Sequence, residues 1–151
     1  MVTTHKNRLV FRLLTVIGAL AVVSLTACDP IQQSHIDGNV PDDIQLDSVL
    51  RRDLSRYFAS RAGHRVEVEY SFLRQGPTQS GVAYPKFYLW VVARDSAGSR
   101  VVGDGAVRIA LIDKAQADVT NFLSRAHLVR DPASADSVFP APVVVEIRKR
   151  L

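Results

Sequence analysis

The segment Lys86-Phe87-Tyr88-Leu89-Trp90-Val91-Val92-Ala93-Arg94 is apolar or aromatic at nearly every position. Successive residues of a strand point to opposite faces. A strand of this composition is therefore central in its sheet, or has one face covered by something other than water. Its upstream neighbour, Val66-Glu67-Val68-Glu69-Tyr70-Ser71-Phe72, alternates strictly between apolar and polar residues, the pattern of a strand with one buried face. Downstream, Asp95-Ser96-Ala97-Gly98-Ser99 predicts a hairpin turn into a third strand over about Arg100 to Ile112. Gly103-Asp104-Gly105 interrupts that strand and reads as a bulge. A phosphate cradle would need a helix directly after the glycines, and here a strand continues.

Helical periods flank the strands. Leu46, Leu50, Leu54, Tyr57 and Phe58 recur at three- and four-residue spacing and predict a helix from Asp47 to Ala62. Asp47 or Ser48 serves as its cap and Gly63 as the left-handed residue after it. Asp113-Lys114-Ala115-Gln116 has the spacing of a capping box. With Ala115, Val119, Phe122, Leu123 and Ala126, it predicts a second helix running to Arg130, stopped by Asp131-Pro132. One further turn fits between Ala133 and Phe139. Val143-Val144-Val145-Glu146-Ile147-Arg148 reads as a last strand, entered through Pro140 and Pro142. The expected fold is α+β in the order α-β-β-β-α-β. Its sheet is four-stranded and mostly antiparallel, with two helices packed on one face and a right-handed crossover making strands three and four parallel. Double-stranded-RNA-binding, cystatin-like and NTF2-like folds share parts of this order, which is analogy alone.

Ahead of the domain, His5-Lys6-Asn7-Arg8 and Arg12 form a basic region without an acid. Leu13 to Ala27 then carries no charge and ends on small residues before Cys28, the only cysteine. Basic, apolar and small-residue segments in this order are those of a secretory signal. The apolar run is shorter than the roughly 20 residues of a spanning helix, so a tilted single-pass anchor is the lesser reading. Leu25-Thr26-Ala27-Cys28 resembles the lipobox of bacterial lipoprotein precursors. The resemblance implies a lipidated Cys28, cleavage before it and anchoring by two or three acyl chains, which hold where one binds only marginally. Asp29 resembles the enterobacterial signal for retention in the inner membrane. Its periplasmic face is the expected location and the outer membrane the alternative.

The lipobox fixes three stretches: a signal over 1–27, a flexible tether over 28–43 and one α+β domain over 44–151. The tether carries Pro30, Gly38 and Pro41 and shows no period. His35 and Asp37 within it are a weak metal hint. The whole chain carries 19 basic and 15 acidic side chains, and the signal holds three of the basic ones and no acid. Taking three from 19 leaves 16 against 15, so the mature chain is nearly neutral, with no electrostatic footprint for nucleic acid. With Cys28 lipidated, the domain has no disulfide and no thiolate ligand.

The segment from Arg74 to Pro85 joins two strands that a two-residue turn could join. Gly76-Pro77, Gly81 and Tyr84-Pro85 punctuate it, so it reads as a shaped loop. Thr78, Gln79 and Ser80 offer hydrogen bonds at its tip, and Tyr84, Tyr88 and Trp90 offer aromatic surface. These six residues are the candidate protein-binding site. Ser80 lacks the first glycine of a nucleophile elbow. His64 and His127 have no partner placed by spacing, and Glu67 with Glu69 reads as an exposed strand face. No metal or cofactor motif is visible. The expected function is a non-catalytic, membrane-anchored envelope protein that binds another protein, as an assembly factor or accessory subunit. An inhibitor or immunity lipoprotein acting on an enzyme or toxin is the alternative. A hydrolase or small-ligand carrier with a cavity between helix and sheet is the third.

Overall fold

The computed structural model describes residues 36–81, 83–97 and 100–151. The signal, the lipobox, Cys28 and His35 lie outside the described residues. The elements are α1 (Asp43–Ala62), β1 (Val66–Phe72), β2 (Lys86–Asp95), β3 (Val101–Asp113), β4 (Gln116–Ser124), α2 (Arg125–Arg130), α3 (Ser134–Val138) and α4 (Ala141–Arg148). The fold is α+β, with a helix before the strands and a four-stranded sheet in the order β1-β2-β3-β4, antiparallel throughout.

Strand β2 pairs on both sides and is buried on both faces, as its composition requires. Phe87, Leu89, Val91 and Ala93 pack with Leu46, Leu50, Leu54 and Phe58 of α1. Tyr88 and Trp90 point the other way, into a second core with Leu128, Phe139, Val143, Val144 and Ile147. The helices thus lie on opposite faces of the sheet, where one face was expected. Two layers of helix cover a sheet whose middle has no wet side.

Helix α1 starts four residues ahead of its expected start. Asp42, in extended conformation after Pro41, takes the amide of Gln45 on its carboxylate at 2.8 Å and so caps the helix. Gly63 ends it in the left-handed conformation, φ 77°, as its type predicts. Residues 36–39 make a helical turn, Val40 packs on the first core and Pro41 is buried, so packing begins inside the stretch expected as tether. Both outer strands reach α1. At β1, Arg51 donates to the carbonyl of Val68 at 3.3 Å; at β4, the amide of Ala117 donates to Asp53 at 2.9 Å.

The fourth strand is Gln116–Ser124, in place of the expected helix, and the reason lies in one residue. Ile109 pairs with Val119 and Arg108 with Asn121, so Thr120 is inserted and the strand changes faces there. Ala117, Val119 and Phe122 all meet the α1 core, at spacings of two and then three. That sequence interval imitates a helical period. Thr120 donates its hydroxyl to the Arg108 carbonyl at 3.0 Å, which fixes the bulge. Asp113 is no capping box either: its carboxylate accepts the Ala115 amide at 2.7 Å and closes the β3–β4 turn. In β3 the inserted residue is Val102, since Ala93 faces Gly103 and Arg94 faces Val101. The bulge therefore falls one residue before the glycine pair expected to make it.

The C-terminal segment is helical, where a strand was expected. Pro140 precedes the first turn of α4 and Pro142 stands within it, positions at which proline loses no hydrogen bond. Val143, Val144 and Ile147 are buried while Val145 is half exposed, a helical face rather than an alternation. Covering Tyr88 and Trp90 outweighs the weak helix propensity of valine. A strand would bury Val143, Val145 and Ile147 together. Val145→Asp is accordingly expected to change stability by less than about 0.5 kcal/mol. Val144→Asp should cost about 3 kcal/mol or more by stranding a charge in the second core. Urea unfolding of the two variants measures the difference, and the reverse ranking would mean a strand.

Candidate protein-binding site

The loop between β1 and β2 is pinned rather than free. Leu73, 3 % exposed, donates its amide to Tyr88, and Thr78 exchanges two backbone hydrogen bonds of 2.8 Å with Lys86. The hydroxyls of Thr78 and Tyr88 share another at 2.8 Å. Gly76 and Gly81 make its corners at φ 68° and 56°, which other residues adopt only with strain. Ala83 donates to the Ser80 carbonyl and Gln79 to the Gly81 carbonyl, tightening the tip. Pro85 is fully buried, and its carbonyl accepts the amide of Leu111.

The six sequence candidates fall into two groups. Ser80 and Tyr84 are at the surface, with Tyr84 49 % exposed, and Thr78 and Gln79 are partly buried beneath them. Tyr88 and Trp90 lie in the second core. Tyr88 meets Phe139 ring to ring, and the Trp90 indole donates to Asp104 at 2.9 Å. Asp104 also holds Arg125 at 2.7 Å, whose guanidinium stands over the Trp90 ring. Both aromatics fasten the C-terminal helices to the sheet, and their rings are not open surface.

What the sequence did not single out is the far wall of the loop. Gln75, Gly76 and Pro77 border a groove of about 480 Å³, whose other side is α1 and the end of β1. Leu46, Tyr70, Phe72 and Phe87 line it, with Asp43 and Asp47 as its charged residues. Phe72 is 42 % exposed although it continues the inward row of Val66, Val68 and Tyr70. Its ring touches Tyr70 and Phe87 at 5.7 and 5.9 Å. An inward-row aromatic beyond the reach of α1 was the available signal, but α1's position is not written in the row. Ile44, 86 % exposed, stands in the first turn of the same helix.

Two polar groups at the groove, Asp47 and Tyr70, are bonded to each other. Asp47 holds Arg51 at 2.9 Å and accepts the Tyr70 hydroxyl at 2.7 Å. Those hydrogen bonds, from Arg51 first and Tyr70 second, keep the Asp47 carboxyl below the usual carboxylate range. Burial, and then the neighbouring Asp47 carboxylate, push the Tyr70 phenol upward. Both shifts favour the pair as an anion accepting from a neutral donor.

Such a groove can receive an apolar side chain beside a cationic one. The region under α1 differs: Leu50, Leu54, Leu89, Ile109 and Leu111 fill the interface where an internal ligand would sit. Ser80 lies off the end of the sheet where β2 begins. His127 follows Ser124, which pairs through Gly105 to the level of Val91. Five strand residues, roughly 17 Å, separate those levels. Among the described residues no cluster of three metal-ligating side chains occurs. No family model, curated protein or solved structure matches the chain.

Proposed function

We propose that this is a lipid-anchored envelope protein whose α+β domain binds another protein without catalysis. The lipobox-like Leu25–Cys28 supports the anchor, and Asp29 supports the periplasmic side of the inner membrane. The groove beside the β1–β2 loop carries the binding part of the reading. An apolar concavity lined by half-exposed Phe72, next to a loop that also exposes Tyr84, is the kind of patch that soluble surfaces keep for partners. Its acidic rim, Asp43 and Asp47, repels anionic headgroups and so favours a protein over the bilayer as the occupant.

A photo-crosslinking residue placed at Phe72 or at Tyr84 in cells tests this. Both positions are expected to give the same crosslinked envelope protein. Cys28→Ser is expected to abolish that product as the protein leaves the membrane fraction. Val129, 59 % exposed on α2, is the control position. No product at Phe72 and Tyr84, or the same products at Val129, would overturn the binding assignment. Unchanged membrane fractionation of Cys28→Ser would overturn lipidation.

A further inference from the structure

The proposed binding function leaves open how a partner is held, and the open edge of β1 supplies an answer that rests on that reading. In an antiparallel pair, successive residues turn their backbone groups toward and away from the neighbour in alternation. Arg65 and Leu73 bond inward to the β2 side, through Ser96 and Tyr88 respectively. By that parity Val66, Val68, Tyr70 and Phe72 present their amides and carbonyls outward. The carbonyl of Val68 confirms it by accepting Arg51 of α1.

Concave surface accompanies this edge along its length. Asp47 of α1 meets Tyr70, and Arg51 meets Val68, so the helix runs antiparallel to β1. Beside the second half of the strand lies the groove of Phe72 and Pro77. Beside the first half lies another, of about 620 Å³, walled by Arg51, Ser55, Arg56 and Ala59 of α1. Between the two stands the Asp47–Arg51–Tyr70 cluster. The Arg51 bond to Val68 is long, 3.3 Å, and the side chain is 52 % exposed and held by Asp47 at 2.9 Å. Arg51 can release Val68 without losing Asp47. It covers an edge that would otherwise invite indiscriminate pairing.

We propose that the outer edge of β1 accepts an extended segment of the partner protein as a fifth strand, basic at the alternate residues that meet Glu67 and Glu69. Charge complementarity selects this occupant. Glu67 and Glu69 are exposed on the face away from α1, and in the sheet they stand opposite Arg94 and Val92. On the α1 face Val66 and Val68 ask for apolar residues. A second copy of the chain fits poorly: pairing β1 antiparallel with itself along its full length sets Glu69 against Glu69 of the other copy, and opposed like charges destabilise a sheet. The edge at β4 is unsuited, since Asp53 occupies the Ala117 amide and Thr120 bulges the strand.

Strand addition is tested on the isotope-labelled full chain in detergent, by amide hydrogen exchange read residue by residue. The probe is a hexapeptide alternating lysine and valine, with an alternating glutamate–valine hexapeptide for comparison. The lysine peptide is expected to slow exchange at Val66, Val68 and Tyr70 by about tenfold, with the glutamate peptide inert. Exchanging Glu67 and Glu69 together for lysine should reverse the preference. No slowing, equal slowing by both peptides, or slowing that follows protein concentration without peptide would each overturn the proposal. The last would mean self-pairing. Crosslinking at Phe72 and Tyr84 reports on the wider binding function, so a partner captured there while the edge amides stay unprotected would sink the fifth strand alone.

Discussion

Gly105→Ala is expected to cost more than about 3 kcal/mol, and to do so because β4 has nowhere to go. A Cβ at Gly105 would lie 2.2 Å from the carbonyl oxygen of Leu123 and 2.8 Å from the Cα of Ser124. Both are backbone of the paired strand, and the φ of 157° is itself unfavourable for a residue with a side chain. Relief requires unpairing Ser124 and with it the start of α2, whose cap is the Ser124 hydroxyl bonded to the His127 amide. Gly103→Ala, two residues away, provides the contrast. Its Cβ would meet the Phe58 ring at 2.4 Å, and a ring can rotate or shift where a strand cannot. About 1–2 kcal/mol is expected there. Urea unfolding followed by the fluorescence of Trp90, bonded to the Asp104 between these glycines, compares them directly. Equal losses at both positions would show that β4 is free to shift.

Asp53→Asn is the second large effect, and its signature is in the pH dependence. Asp53 is the buried charged side chain of the described core, 6 % exposed, and it ties α1 to the far strand. Burial pushes its carboxyl upward. Arg52, bonded through two nitrogens at 2.8 Å, and the Ala117 amide pull harder the other way, with Arg56 adding charge, and the carboxyl ends below its usual range. A group depressed on folding contributes stability above its unfolded pKa, about 3.9, and loses that contribution as pH falls through the lower folded value. The variant should be about 2 kcal/mol less stable than wild type near neutral pH, from one weakened acceptor at Ala117 and the lost charge. Arg52 is half exposed, so water screens part of its attraction and the loss stays at that size. Below roughly pH 4 the two proteins should converge. A gap that stays constant down to pH 2 would mean that Asp53 acts through shape and not through its charge.

Much of the fold was legible because it depends on local chemistry. Strict alternation from Val66 to Phe72 placed β1 at its observed bounds, and the two-faced run from Lys86 placed β2 at the centre. Gly63 and Asp131-Pro132 ended their helices where residue types alone demand it. The second half of the chain misled for a reason of the same kind. Thr120 shifts the inward row of β4, and a strand whose row is shifted carries the spacing of a helix. Valines at 143–145 favour a strand by propensity, and they became helix because a sheet with two apolar faces needs a second cover.

The candidate site was half legible. Loop length and its glycines and prolines marked the segment from Arg74 to Pro85 correctly as shaped. Tyr88 and Trp90 looked like surface because their row in β2 had no visible partner, and α4, read as a strand, was that partner. The groove itself could not be read, since Leu46 and Phe72 lie 26 residues apart and meet only through the path of α1.

The sequence alone determined a basic, apolar and small-residue pattern with one cysteine at its end, a near balance of charge beyond it, and a strand from Lys86 that is apolar on both faces. These follow from charge, length and period, which act within a few residues. Only the tertiary structure decided which segment supplied the fourth strand, which face the last helices took and where β1 was left open. Those outcomes depend on which distant apolar surfaces meet, and burial is rewarded by area regardless of how far apart in the chain the two surfaces are.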